Sequence, residues 1–332
     1  MREKPVFQAS EAGEPKGFGD PMPKSVELGV LRKLAFGATS RTRNGVKMWT
    51  TIRNRVFADF LMGSRLDEYS ELLALLKSSG YHFESLGGFY HAWMGNHKYL
   101  EAKCIVLRHD IDTGSTTAAK MFEIEQAQGV KSTFFFRLGT SDRSLMDAIN
   151  SAGGEVGYHY EEVATYAKAH AITSATELRR QMPKIRVLFA DNLARLREYS
   201  GLQIETAASH GDFVNRALGM FNTEILASGE FRKKVGICLE AYDVHLRSQF
   251  QSLITDTAPP NRWKEESPLE CVARGDLRIH ILVHPRAWRS ERSVNFRDDV
   301  WRLFEGACFR CGIALKILDA AVAREGHRVE SG

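Results

Sequence analysis

From Lys103 onward, short apolar runs rich in β-formers alternate with helical stretches, and no two-residue hairpin signal joins one run to the next. Strands that cannot pair through hairpins must pair in parallel through crossovers, which confines the chain to a barrel or an open doubly wound sheet. Seven strands are predicted, at residues 104–107, 132–137, 155–158, 204–208, 235–239, 251–254 and 278–283. Helices are predicted at 115–128, 144–152 and 175–199. Seven strands make an α/β fold one strand short of the common eight-stranded (β/α) barrel, a seven-stranded distorted barrel.

What precedes this body reads differently. Pro5, Gly13, Pro15, Gly17, Gly19, Pro21 and Pro23 interrupt any periodic pattern, so residues 1–40 are expected to form a mobile leader. Tyr69, Leu72, Leu73, Leu75 and Leu76 recur at near-helical spacing, and Gly80 is placed to end that helix. The expected organisation is therefore a leader (1–40), a helical N-terminal extension (41–100), the barrel (101–320) and a C-terminal tail (321–332).

Charge and composition exclude several function classes. The net charge of +4 is a small excess over many charges of both signs, too weak for a nucleic-acid footprint. No apolar run is long enough to span a bilayer, and the first thirty residues carry no apolar signal core, so a cytoplasmic location is expected. Five cysteines, an odd number set mostly in apolar surroundings, suit reduced thiols. Cys308 and Cys311 have CxxC spacing, but no second pair completes a tetrahedral set, and residues 294–311 read as a helix.

The chemistry gathers at strand ends. His109, Asp110 and Asp112 follow the first predicted strand, His159, Glu161 and Glu162 the third, and Ser209, His210 and Asp212 the fourth. Asp256, Arg262 and Trp263 follow the sixth, while His284, Pro285 and Trp288 follow the seventh. In a barrel these positions converge on one mouth, where β/α enzymes place their active sites. Asp110 and Asp112, two apart on an extended segment, share a side, so one can bind a metal while the other acts as base; their bland alternative is to cap the helix near Ser115. Histidine with carboxylate suits zinc or a similar divalent ion, which makes His159 and His210 candidate ligands. His284, at the end of an apolar strand, is placed to act as a general acid, whereas His280 lies deeper in the barrel and reads as structural.

These residues resemble the polysaccharide deacetylase superfamily, the NodB-homology domain of carbohydrate esterase family 4, in a divergent bacterial branch. The resemblance covers residues 103–288. It implies a distorted (β/α) barrel, with HDID supplying Asp110 as catalytic base and Asp112 as metal ligand. GGEVGYHYEEV is similar to the second motif, with His159 as its first histidine, but Val163 stands where the second metal histidine is expected and Gly154 where the lead histidine is expected. Either His210 or Glu161 must then complete the set, and His210 is favoured because it preserves an Asp-His-His group. DTAPPNRW looks like the acid-Arg-Trp motif that lines the pocket and tunes the base, giving Asp256, Arg262 and Trp263, and VHPRAW gives His284 as the acid. Trp263 and Trp288 are read as walls for a sugar ring or as core packing, and Glu161 as a further pocket residue.

The resemblance implies a divalent cation, zinc first with cobalt or nickel as alternatives, and an acetylated sugar or glycan substrate from surface-polysaccharide assembly. Hydrolysis of another non-peptide C–N bond, or glycan binding without catalysis, are the rival expectations.

Overall fold

In the computed structural model, the described residues are 53–310 apart from 55, 96–101 and 258–261. The expected leader 1–40, the tail 321–332 and Cys311 lie outside them. All described residues belong to one compact unit, Ile52–Gly332.

The strands are β1 (His82–Glu84), β2 (Cys104–Ile111), β3 (Thr133–Phe136), β4 (Glu155–Tyr160), β5 (Thr206–Ser209), β6 (Leu239–Glu240), β7 (Ser252–Thr255) and β8 (Arg278–Val283). Every ladder between them is parallel. Seven run in the order β6-β5-β4-β3-β2-β8-β7, a curled half-barrel wrapped by helices. No ladder joins β6 to β7 among the described residues. β2 is therefore the keystone, with β3, β4, β5 and β6 on one arm and β8 and β7 on the other.

β2 is buried along its whole length, as expected of a central parallel strand covered on both faces. Its residues alternate with period two. Cys104 and Val106 join Phe135, Ala208 and Leu239 in the barrel interior, whereas Ile105 and Leu107 face the outer layer with Ile279, Ile281 and Val283. That outer layer is sealed by the helix Leu66–Ser78, which presents Tyr69, Leu73 and Leu76 at helical spacing and ends where Gly80 adopts φ 85°. A second outer core packs the helix Met182–Ser200 through Ile185, Phe189, Leu193 and Leu196. Truncating one such anchor, as in Phe189→Ala, costs about 3–5 kcal/mol. Inside the barrel, Gly157 is required because a Cβ there would collide with the Phe135 ring.

The seven predicted strands correspond to β2 through β8, but β2 runs on through His109 and Asp110 to Ile111 and β4 through His159 to Tyr160, so these residues lie within the strand ends and not after them. Residues 229–235 form the helix Gly229–Val235, which Gly236 ends at φ 68°, so β6 shrinks to Leu239–Glu240. The expected helix at 175–199 is two helices, Ala175–Arg180 and Met182–Ser200. Pro183 lies in the first turn of the second, where its missing N–H costs nothing. β1 is an addition, and it pairs its three residues with Cys104, Ile105 and Val106. Residues 292–310 are helical (Arg292–Arg310), and Cys308 is buried within that helix.

Candidate active site

The end of β2 carries Arg108 and Asp110 on its inward face, followed by Asp112 in the turn. Arg108 grips Asp110 through two parallel hydrogen bonds of 2.7 Å, from Nε to Oδ1 and from Nη2 to Oδ2. Arg108 also donates to the Tyr242 hydroxyl at 3.2 Å and lies over the Phe135 and Tyr242 rings. Burial on its own would raise the Asp110 carboxyl, but the charges of Arg108 and His159 outweigh it and hold the group below the usual carboxylate range. A buried bidentate pair of this kind fixes both the ionisation and the direction of the carboxylate.

His159 comes from β4 and is only 2% exposed. Its Nδ1 lies 2.9 Å from the Ala208 carbonyl, which can only accept, so Nδ1 carries the proton. That fixes Nε2 toward Asp112 Oδ1 at 3.1 Å, with Asp110 Oδ2 at 3.7 Å. In a neutral imidazole Nε2 is a lone pair facing a carboxylate, an arrangement that a proton or a cation between them must resolve.

His210 arrives from the turn after β5. Its backbone N–H donates to Tyr160 O at 2.8 Å, and its carbonyl accepts from Asn222 Nδ2 at 2.7 Å. Asn222 Oδ1 in turn accepts from Val163 N at 2.9 Å, so one buried amide ties the His210 turn to the helix Glu162–Ala169. His210 Nε2 lies 3.5 Å from Asp112 Oδ1, and its Nδ1 lies 3.1 Å from Glu161 Oε2. The neighbouring carboxylate favours the proton on Nδ1, which leaves Nε2 directed at Asp112.

Asp112, His159 and His210 thus form a group whose ligand atoms lie within 4.8 Å of one another. Two imidazole nitrogens and a carboxylate oxygen, with acceptors facing acceptors, are a donor set that fits zinc or a chemically similar divalent ion. Burial opposes the charge on Asp112, yet the surrounding imidazoles of His159, His210 and His284 hold its carboxyl well below the usual range. Glu161 is occupied by Arg137, whose Nη2 and Nε lie 2.6 and 3.1 Å from Oε1, and by His210. Burial opposes its charge, but Arg137 first and His210 second keep it ionised. Arg137 Nη1 also donates to the Asp112 carbonyl at 2.7 Å, so this one side chain positions both the ligand turn and the carboxylate behind His210.

The other arm brings His284, whose side chain is 30% exposed. Its Nδ1 lies 2.7 Å from Asp256 Oδ1, and its backbone N–H donates to Oδ2 at 2.8 Å. Trp288 Nε1 donates to the same Oδ2 at 3.0 Å. Burial disfavours the imidazolium, but the Asp256 carboxylate, and less strongly Asp112 and Asp110, raise its pKa to about 10. With Nδ1–H held by Asp256, Nε2 is the atom left for a reacting partner.

The structure therefore draws Asp110, Asp112, His159, His210, Glu161, Asp256 and His284 into one electrostatically connected group at the strand ends. The remaining expected residues are placed differently. Arg262 is 59% exposed and pairs with Glu68 at 3.0 Å. Trp288 is buried against Tyr69 and Trp263, with ring centroids 5.1 and 6.1 Å away, and Trp263 is partly buried in the outer core beside it. His109 points to the outer face, stacked on Phe134, and Val163 is fully buried in the outer core. His280 faces inward below Arg108 against Phe250, and burial pushes its pKa down to about 3. Sequence reasoning missed Arg108, Arg137, Asn222 and Tyr242. Only Arg108 left a signal, since it lies two residues before Asp110 and so on the same strand face.

No protein-family model matches the chain, and no curated protein is similar to it. Among solved structures, a mutant of the peptidoglycan deacetylase PdaC from Bacillus subtilis aligns with a TM-score of 0.32 and 14% identity, over 70% of this chain and 98% of that one. A CE4 family pseudoenzyme from Bacillus anthracis aligns with a TM-score of 0.30 and 14% identity, over 61% of this chain and 62% of that one. A mutant of that pseudoenzyme with restored enzymatic activity gives 0.31 and 14%, over 61% and 64%. The chain spans less than two thirds of the length of the pseudoenzyme structures. The roles of the side chains rest on the geometry alone.

Proposed function

We propose that the protein is a divalent-cation-dependent hydrolase that removes an acyl group, foremost acetyl, from a nitrogen or oxygen of a sugar or glycan. The observation that carries this reading is the meeting of a cation-type donor set (Asp112, His159, His210) with a clamped carboxylate (Asp110) and a carboxylate-held imidazole (His284) supplied from opposite arms of one sheet. Zinc, or cobalt or nickel in its place, supplies Lewis acidity there, polarising an acyl oxygen and making water a nucleophile at neutral pH.

The protein's own groups then have separate tasks. Asp110, kept ionised by Arg108, accepts the proton of the attacking water. His284, charged at neutral pH because Asp256 holds its Nδ1–H, delivers a proton from Nε2 to the departing amine or alcohol. Arg137 and Glu161 keep His210 turned toward Asp112, so that the group is organised before substrate arrives.

The test is acetate release from N-acetylhexosamine compounds by the purified full chain, with and without chelator, alongside Asp112→Ala. Release that stops in both cases supports the reading, and release indifferent to both overturns it.

A second reading, a glycan-binding protein without catalysis, draws on one observation: the position expected to carry the second metal histidine is the buried aliphatic Val163. It predicts sugar binding by metal-free protein and no turnover at any metal loading.

A further inference from the structure

At the opposite end of the sheet, three donors of different chemistry come together from three elements. The helix Leu86–Gly95 closes the amino-terminal end of the barrel, burying Leu86 and Phe89 among Cys104, Val106 and Phe135. Its first turn is fixed to the strands, since Leu86 N donates to Thr133 Oγ1 at 2.7 Å and Gly87 N to Glu155 Oε2 at 2.8 Å. One turn beyond Gly87, His91 lies on the same helical face. Thr206 of β5 is paired in register with Leu239 of β6, which sets the preceding residues, Glu205 and Cys238, side by side, and Cys238 N donates to Glu205 O at 2.9 Å. The ligand atoms of His91, Glu205 and Cys238 lie within 4.8 Å of one another.

The geometry points to a second divalent-cation site at His91, Glu205 and Cys238, distinct from the strand-end mouth, in which the ion fastens the closing helix to the starts of β5 and β6.

Three features favour a borderline-soft cation such as zinc. Thiolate, imidazole and carboxylate together form a preferred zinc donor set, and three protein donors leave one coordination position for water. Glu205 and His91 are exposed, so an ion enters from solvent without opening the core. The local field is negative, because Glu205 and the half-buried Glu155 both act on Cys238. The Cys238 thiol donates to the Glu205 carbonyl, a pure acceptor, at 3.3 Å, so its sulfur carries a proton in this arrangement. Binding replaces that proton, which leaves to solvent as the S–H bond is exchanged for a bond to the ion.

Sulfur separates this site from the mouth, whose three ligands are nitrogen and oxygen only. The experiment is a Co²⁺ titration of the full reduced chain, read by the near-ultraviolet thiolate-to-cobalt charge-transfer band. The wild type is expected to show the band, Cys238→Ser to lose it, and His91→Ala to need at least about tenfold more Co²⁺, the smallest loss a missing partner produces at a metal site. His159→Ala is expected to keep the band, whatever becomes of deacetylation. Zn²⁺ should raise the melting temperature of His159→Ala and leave that of the His159→Ala, Cys238→Ser double variant unchanged. Absence of the band in folded wild type, or a band that survives Cys238→Ser, overturns the proposal.

Discussion

The two faces of β2 end in two buried polar clusters of opposite character. On the outer face, His109 Nε2 lies 2.6 Å from Glu125 Oε1, and the hydroxyls of Tyr69 and Ser132 donate to the same carboxylate. Each Glu125 oxygen has a protein donor, so that carboxylate is satisfied by protein alone, while the far ring nitrogen of His109, Nδ1, has no hydrogen-bond partner among the described residues. On the inner face, two imidazole nitrogens and a carboxylate oxygen point at one another with no protein donor between them, while Arg108 and Asp256 secure the neighbouring groups. Burial separates them only at Asp112, whose side chain is 23% exposed while Glu125 is 1% exposed. The balance of donors against acceptors distinguishes them throughout: in the outer one protein donors meet both oxygens of the carboxylate, and in the inner one acceptors face acceptors, a set suited to a cation.

The largest effect that separates them is expected for Asp112→Ala, which should lower acetate release by about 10³-fold or more, since several kcal/mol of transition-state stabilisation depends on the cation. Its melting temperature without metal, measured by calorimetry, should fall less than that of Glu125→Ala, because no protein donor is left buried without its acceptor. Glu125→Ala should do the reverse. It leaves His109, Tyr69 and Ser132 buried without their acceptor and should cost about 3–5 kcal/mol in urea unfolding, with near-normal turnover per folded molecule. Equal stability losses in these two variants would erase the contrast drawn here.

A finer test concerns His284. Its pKa in the fold, about 10, lies above the ordinary imidazole value. Its contribution to stability is therefore complete below the ordinary value and is lost as pH rises through the folded one. Asp256→Asn removes the main partner of the proton, so the alkaline limb of the kcat/KM profile should move to lower pH. An unmoved limb would mean that some other group supplies the proton. The smallest effect is expected for Arg262→Ala. Its exposed pairing with Glu68 is worth about 0–1 kcal/mol, and kcat and KM should stay within twofold of wild type.

Much of this arrangement was legible in the sequence, and what was not has identifiable causes. Alternating apolar runs and helices expose the parallel sheet because buried parallel strands read as continuous hydrophobic stretches. β1 left little trace because three residues carry no periodic signal, and the strand read at 235–239 starts too early because the helix that Gly236 ends runs almost to the start of β6. Asp110, Asp112, His159 and His284 stand out because each follows an apolar run. Proximity between neighbouring strands is a different matter. That His210 reaches Asp112 depends on β5 lying beside β4 and on Asn222 holding the turn, and neither is written in local spacing. Arg137 was hidden for a related reason, since an arginine ending a strand reads as a solvated charge until Glu161 and the Asp112 carbonyl are seen beside it.

The missing ladder between β6 and β7 bears on how large a molecule the site admits. His159 and His210 ride on one arm and His284 on the other, joined through β2. A change of twist in that single strand alters the gap between His284 and the group of Asp112, His159 and His210 without breaking any main-chain pairing. Aperture is thus a property of the keystone strand, and variants meant to widen the mouth belong along Cys104–Ile111 before the rim is altered.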